Sequence, residues 1–236
     1  MGALRLYLAG LGGAVSRLVL ALRVVAMIAL IGTILFGAAG RIDLPFFWGY
    51  LAVFLMLGLG AMFTLSPELL EERRRPGGEG RDNLNLLRVV AGLMFVSQWI
   101  IAGLDVGRRH WSDSIPAAFR VLGLVGFVLV FAVWYWAMRT NPFFSSAVRI
   151  QRDRGHHVVD TGPYRYVRHP GYAAFVLLGW GGPVALGSWC AVLTHVAVIV
   201  LFVRRALIED RMLRSELEGY AAYAERVRWR FLPGIF

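Results

Sequence analysis

The sequence predicts an all-α membrane protein that crosses the bilayer about six times. Hydrophobic residues make up 58% of the 236 residues and charged residues only 17%. Several apolar runs reach the roughly 20 residues that a helix needs to cross the hydrocarbon core. We therefore expect a single membrane domain over residues 1–236, with no separate soluble domain.

Apolar runs in residues 1–138 predict four N-terminal spans. The runs cover about Leu18–Ala39, Phe46–Leu65, Leu86–Leu104 and Ala117–Met138. The first run has no small-residue cleavage site in the usual place, so we expect a retained helix rather than a removed signal peptide.

Residues 139–236 predict a second part with two further spans. After a long polar stretch, Arg139–His169, the apolar block Tyr172–Val203 is too long for one helix, and GWGGP at Gly179–Pro183 interrupts it. Glycine and proline in such a run mark a break. The pattern predicts a tight hairpin of two helices, the first of them short.

The C-terminal tail, Ala206–Val227, predicts an amphipathic helix that continues from the last span, with Gly219 as a point of interruption. At 100° per residue its apolar side chains share one broad face. These are Met212, Leu213, Leu217, Tyr220, Tyr223, Ala224 and Val227. Glu209 falls on the same side, where a carboxylate costs free energy unless it is paired or binds something.

Arginine supplies all of the net charge of +10, since the chain has no lysine. The arginines cluster between the apolar runs, which is typical of cytoplasmic loops and of contact with anionic lipid headgroups. The distribution predicts a protein of the inner (cytoplasmic) membrane with both termini and the polar stretch in the cytoplasm. No basic domain or RNA-binding motif occurs, so we expect membrane lipids and no nucleic acid as partners.

The run TGPYRYVRHPGY, Thr161–Tyr172, is the strongest indication of a functional site. It brings arginine, histidine and tyrosine side chains to the start of an apolar segment, where polar groups usually serve a function. Pro170 suits the first position of a helix. With Arg165, Arg168 and His169 beside it, that helix N-terminus predicts a site for an anionic group.

The acidic pair Glu209–Asp210 adds acceptors for an amino group or for ribose hydroxyls. Several tyrosines offer faces for an adenine ring or a cation. These are Tyr164, Tyr166, Tyr172, Tyr220 and Tyr223. Together the groups predict a site for a zwitterionic nucleoside such as S-adenosylmethionine (SAM), and no strand–turn–helix glycine fingerprint indicates a Rossmann domain.

Each group also has a purely structural interpretation. The arginines and tyrosines are common at a membrane interface, and Glu209 or Asp210 can pair with Arg205 or Arg211 in a salt bridge of little energetic value. His156 and His157 are adjacent and do not share a helix face, and the chain has one cysteine, Cys190. We therefore expect no bound metal.

Three segments resemble the bacterial isoprenylcysteine carboxyl methyltransferase-like family. They are NPFFSSAVRIQRDRGHHVVDTGPYRYVRHPGY (Asn141–Tyr172), the C-terminal EDRMLRSELEGYAAYAERVRWRFLPGIF, and SPELLEERRRPG (Ser66–Gly77). The resemblance implies an integral-membrane, SAM-dependent methyltransferase that acts on a lipid-like acceptor, either an isoprenylcysteine-like carboxylate or another lipid headgroup.

The resemblance also implies roles for individual residues. The expected cofactor-binding residues are Tyr164, Arg165, His169, Pro170, Tyr172, Glu209 and Asp210. The expected catalytic residues are Arg168, Arg230 and Glu209, and Arg230 is expected to meet the SAM carboxylate or the substrate.

Two other functions stay open at this point. Membrane reductases of the steroid reductase type use NADPH and have a similar element, RHPNYFGE, but this chain reads RHPGYAAF and lacks the glutamate. A transporter or scaffold would be expected to place polar groups at mid-membrane on broken helices, whereas here they gather at one boundary. Both differences favour methyl transfer.

Overall fold

The computed structural model describes residues 2–77 and 84–234, and none of these residues lies in a β-strand. Its helices, in chain order, are α1 (Gly2–Ala39), α2 (Pro45–Thr64), α3 (Pro67–Arg74), α4 (Leu84–Leu104), α5 (Ala117–Thr140), α6 (Pro170–Ala173), α7 (Gly181–Leu186), α8 (Trp189–Glu216) and α9 (Tyr220–Arg226). Short π-helical turns extend α4 over Asp105–Arg109 and α6 over Ala174–Leu178.

Five of these helices are long and apolar enough to cross a membrane. They correspond to Val19–Ala39, Pro45–Thr64, Asn85–Arg109, Ala117–Thr140 and Trp189–Glu216. The other predicted span is the shorter apolar unit Pro170–Leu186, which extends about 26 Å at 1.5 Å per residue. The all-α polytopic fold is therefore confirmed.

The predicted hairpin is present, but its turn lies elsewhere than predicted. The chain reverses at Gly187, which has a φ of 83°, and at Ser188, whose Oγ caps α8 by accepting from the Ala191 amide. The GWGGP segment, predicted as the break, instead lies inside the first leg, where α7 begins at Gly181. The prediction was wrong on this point because these glycines serve close helix packing.

Glycines let α7 approach α5 more closely than larger residues would. A Cβ added to Gly181 would lie 2.6 Å from the Phe127 amide nitrogen, and one added to Gly123 would lie 2.4 Å from the Ala185 nitrogen. Small residues permit such contacts between membrane helices. The packing holds the Pro170–Leu186 leg along α5.

At the end of the bundle that contains the hairpin turn, a buried carboxylate joins two helices. Asp105 accepts from the Ser112 amide at 3.0 Å, from Ser112 Oγ at 2.6 Å and from Ser188 Oγ at 2.5 Å. The carboxylate is fully buried, so these bonds replace the water it has lost. They fasten the end of α4 to the start of α8.

The tail beyond the membrane span folds back on the polar stretch. The helix stops after Glu216, and Gly219, with a φ of 79°, lets α9 begin in a new direction, so the predicted interruption is confirmed. The predicted apolar face is buried around Val148 of the polar stretch. Its members are Met212, Leu213, Leu217, Tyr220, Tyr223 and Ala224.

We expect the replacement of Gly123 by alanine to destabilise the protein by roughly 1–3 kcal/mol, since the added methyl group meets backbone atoms that cannot rotate away. The control is Gly126→Ala, where the nearest atom is the Gly181 Cα at 3.5 Å, an ordinary contact. Thermal melts in detergent measure the effect. Equal melting temperatures for the two variants would contradict the packing described.

Candidate active site

A cavity of about 1160 Å³, including the space at its mouth, opens at the end of the bundle opposite the hairpin turn. Its walls come from α3, the end of α5, residues 141–169, the start of α6, and the second half of α8 with α9. Elements from both halves of the sequence therefore form one enclosure.

The polar stretch forms a folded wall. Buried Gln151 donates from Nε2 to the Phe143 carbonyl at 2.6 Å, and the Phe143 ring stacks on His156 at 4.5 Å. Burial lowers the pKa of His156 to about 4, so its imidazole is neutral at pH 7. Arg149 fastens this wall to α3 by pairing with Glu72 at 2.9 Å.

One face of α8 lines the cavity. Phe202, Arg205, Glu209 and Met212 follow one another at spacings of three and four residues, which places them on the same side of a helix. Glu209 is half-buried there and accepts a hydrogen bond from the Tyr172 hydroxyl at 2.7 Å. It is the one carboxylate in the lining formed by residues 2–77 and 84–234.

Asp210 faces away from the cavity and is the centre of an ion-pair network. It is 1% exposed and accepts from Arg168 Nε at 2.8 Å, Arg230 Nε at 3.0 Å and the Tyr220 hydroxyl at 3.0 Å. His169 Nε2 lies 3.3 Å from the same carboxylate. The carboxylate therefore compensates buried charge behind the cavity wall.

Arg168 binds the C-terminal tail as well as Asp210. Its Nη1 donates to the carbonyls of Val227 and Arg228, each at 2.7 Å. The backbone amides of Arg168 and His169 donate to the carbonyls of Trp229 and Arg230. These bonds hold the segment before α6 against the tail and give the cavity wall its shape.

Buried tyrosines complete the wall near the start of α6. The Tyr223 hydroxyl donates to the Tyr164 carbonyl at 2.7 Å, and Asn141 Nδ2 donates to the Tyr164 hydroxyl at 3.3 Å. Burial raises the pKa of both phenols, so they stay protonated. Tyr166, considered above for stacking, is 61% exposed on the surface.

The structure brings six of the predicted site residues to the cavity. They are Tyr164, Arg168, His169, Pro170, Tyr172 and Glu209. Asp210 and Arg230 lie behind the wall in the ion-pair network, and Arg165 is exposed on the surface. Helical geometry separates Glu209 from Asp210, because adjacent residues point about 100° apart.

Sequence reasoning did not assign Arg73 to the site. This residue of α3 lies in the cavity wall, with its guanidinium carbon 4.9 Å from the Trp134 ring centre and 5.1 Å from that of Phe144. The sequence held a signal, since Arg73 belongs to the SPELLEERRRPG segment, but that segment precedes the motif by almost 90 positions. Among the described residues, no group of three His, Cys, Asp or Glu side chains could hold a metal.

The fold and the cavity define a polytopic helical membrane protein with a polar site at one end of its bundle. Residues 121–215 match the model of the isoprenylcysteine carboxyl methyltransferase (ICMT) family. The match runs through α5, the polar stretch, the hairpin and most of α8. This part of the chain, about 40% of its length, is therefore similar to the ICMT family.

A solved structure has the same fold. The chain resembles the eukaryotic intramembrane Ras methyltransferase ICMT with a TM-score of 0.56 and 16% sequence identity, over 99% of this chain and 86% of that one. At this identity the likeness concerns the fold alone.

Curated relatives fall into two groups by name. The chain is 27% identical over 152 residues to the nickel-cobalt-cadmium resistance protein NccN of Alcaligenes xylosoxydans xylosoxydans, covering 62% of each protein. It is 33% identical over 92 residues to the protein-S-isoprenylcysteine O-methyltransferase of Schizosaccharomyces pombe, covering 38% of this chain and 39% of that protein. The cobalt-zinc-cadmium resistance protein CzcN of Cupriavidus metallidurans is 28% identical over 64% of this chain and 68% of its own length. The chain therefore spans about 62% of the first relative and a smaller part of the yeast enzyme.

We expect Asp210→Asn to destabilise the protein by about 3–5 kcal/mol, because breaking a buried pair leaves the guanidinium of Arg168 without its counter-charge. Asp160→Asn is the control, since Asp160 pairs with Arg226 at the surface, where such a pair is worth about 0–1 kcal/mol. Thermal melts and limited proteolysis of the tail give the readout. If both variants lost the same small amount of stability, the proposed structural role of Asp210 would be contradicted.

Proposed function

We propose that this protein transfers a methyl group from SAM to a lipid-like acceptor at the cytoplasmic face of the inner membrane. The acceptor class is the carboxylate of an isoprenylcysteine-like compound or another lipid headgroup. The observation that carries the proposal is the Glu209–Tyr172 pair in an aromatic cavity, within the segment that matches the ICMT family model. The relatives named as O-methyltransferases support the same activity.

The chemistry of the cavity fits SAM. The second oxygen of Glu209 can accept from an amino group or a ribose hydroxyl, since the Tyr172 hydroxyl binds the first. The aromatic lining suits both an adenine ring and a sulfonium. Trp134, Phe143, Phe144, Phe175 and Phe202 contribute it.

The proposed roles follow from position. Glu209, Tyr172, Tyr164, His169 and Pro170 are proposed to contact the cofactor. We propose Arg168, Arg230 and Asp210 as positioning residues, because their ion pairs hold the C-terminal tail against the segment before α6. Arg165, which is exposed on the surface and follows Tyr164 of the cavity wall, is proposed to meet lipid headgroups or a ligand that enters the cavity.

The protein would contribute mainly by positioning the reactants and excluding water. Bound SAM supplies an electrophilic methyl group that already carries the reactivity. The cavity walls would hold the acceptor next to that group and exclude solvent, and such positioning accounts for a large part of many enzymatic rate increases. A carboxylate acceptor needs no general base, whereas an amine or hydroxyl would first have to lose a proton.

The proposed orientation of the protein in the membrane is based on where its arginines lie. Those of the long polar stretch lie at the cavity end, namely Arg139, Arg149, Arg152, Arg154, Arg165 and Arg168. The loops at the hairpin end have only Arg41, Arg108 and Arg109. By the positive-inside rule the cavity then faces the cytoplasm, where SAM is available.

Glu209→Gln tests the cofactor site. We expect SAM to bind at least tenfold more weakly, because a hydrogen bond to a charged group contributes about 1.5–3 kcal/mol, while the melting temperature stays close to that of the wild type. Isothermal titration with SAM, and with NADPH in parallel, provides the measurement. Glu218→Gln, on the exposed side of the same segment, is the control. Unchanged SAM affinity in Glu209→Gln, or binding of NADPH alone by the wild type, would contradict the proposed function.

Reporter insertions test the orientation. A reporter after Arg152 is expected to show a cytoplasmic location, and one after Trp111, which is exposed at the hairpin end, an external location. Paired fluorescent-protein and alkaline-phosphatase fusions distinguish the two sides. The reverse pattern would overturn the cytoplasmic assignment.

A further inference from the structure

Arg73 places a half-buried guanidinium in the cavity wall, where its neighbours are mainly aromatic. Its contacts are the faces of Trp134 and Phe144, within the roughly 6 Å range of cation–π interactions. Among residues 2–77 and 84–234, no carboxylate forms an ion pair with it. Burial, together with the nearby positive charge of Arg205, lowers the pKa of the Arg73 guanidinium to about 10.

Two other arginines of the lining, Arg149 and Arg168, differ from Arg73 because carboxylates compensate their charge. Arg149 pairs with Glu72 and Asp153, each at 2.9 Å. Arg168 pairs with Asp210 at 2.8 Å. In both cases the carboxylate approaches from the wall and not from the cavity, so the compensation is complete without a ligand.

The charge of Arg73 therefore has no ion-pair partner among the described residues. Glu209 is the one carboxylate in the described part of the lining, and it accepts a hydrogen bond from Tyr172. Since a partly buried charge without a partner costs free energy, the arrangement is most stable when a ligand brings negative charge to the Arg73 side.

The backbone around Arg73 holds its side chain in place. The neighbouring residue, Glu72, makes the buried pair with Arg149, and the Arg73 carbonyl accepts from Ser146 Oγ at 2.7 Å. These two contacts fasten α3 to the polar stretch next to Arg73. A guanidinium held in this way is preorganised for bidentate binding of a planar anion.

We propose that Arg73 binds a carboxylate of a ligand in the cavity and thereby selects anionic ligands over their neutral counterparts. This inference rests on the proposed function for the identity of the ligands. Two sources of the carboxylate share the same chemistry, the methionine part of SAM and the methyl acceptor. An amine acceptor would instead add positive charge beside Arg73 and Arg205.

The test compares carboxylate probes with their uncharged counterparts. Arg73→Gln, Arg73→Lys and the wild type are titrated with SAM and decarboxylated SAM, and with N-acetyl-S-farnesylcysteine and its methyl ester. We expect Arg73→Gln to bind at least one carboxylate probe about tenfold or more weakly, while affinity for its counterpart changes less than about twofold. If Arg73→Gln no longer distinguishes SAM from decarboxylated SAM, the carboxylate is that of SAM. If it no longer distinguishes N-acetyl-S-farnesylcysteine from its methyl ester, the carboxylate is that of the acceptor.

Two variants separate recognition from folding. Arg75→Gln removes the same charge two residues along, from an exposed position outside the lining, and is expected to leave all four affinities unchanged. Arg73→Lys keeps the charge without the planar fork, so it should retain part of the preference for the carboxylate, and it replaces Arg73→Gln should that variant fail to fold.

The outcomes distinguish the two proposals. If the wild type binds SAM and Arg73→Gln still prefers the carboxylate probe as strongly as the wild type in both probe pairs, the role of Arg73 is overturned and the proposed function stands. Equal loss for charged and uncharged probes would also overturn it, because that is the behaviour of a purely structural residue. Wild-type protein that binds none of the four probes would overturn both the proposed function and this inference.

Discussion

The candidate site depends on one buried carboxylate that does not face the ligand. Asp210 holds Arg168, Arg230, Tyr220 and His169 around it, and Arg168 in turn holds the carbonyls of the tail. A single negative charge thus joins the start of α6, the end of α8 and the C-terminal segment. Taking these groups out of water costs several kcal/mol per ion, and the dense set of hydrogen bonds offsets that cost. The shape of the cavity follows from this network.

The charged residues around the site form two groups, one buried behind the cavity walls and one that lines the cavity. Behind the walls, Glu72 and Asp210 compensate Arg149 and Arg168. Inside the cavity, Glu209 and Arg73 present opposite charges on opposite elements, α8 and α3. That separation suits a zwitterionic ligand, whose amino and carboxylate groups need partners of opposite sign. It also explains why adjacent acidic residues, Glu209 and Asp210, serve different purposes.

The packing of the short hairpin leg determines where the site begins. Gly181 and Gly123 allow α7 to lie against the backbone of α5, and the π-helical turn at Ala174–Leu178 shifts the side chains that precede it by part of a turn. A histidine of α8 supports this turn, since His195 Nε2 lies 3.1 Å from the Phe175 carbonyl. Residues of the apolar helices thereby help to position Tyr172 and Phe175 at the cavity.

The sequence alone determined the class of the protein and the position of its main motif. Apolar runs of spanning length, arginines in the gaps and the RHPGY element are local properties. The membrane fold, the short first leg of the hairpin, the interruption at Gly219 and six of the cavity residues could therefore be predicted from them.

Only the tertiary structure decided the remaining features. The role of GWGGP depends on which helix packs against it, and glycine is equally suited to a turn and to a close contact. The separation of Glu209 from Asp210 depends on how α8 is rotated relative to its neighbours, which periodicity alone leaves open. Arg73 reaches the cavity through contacts more than 60 positions away in the chain, with Trp134 and Ser146, and such long-range contacts leave no pattern in a single sequence.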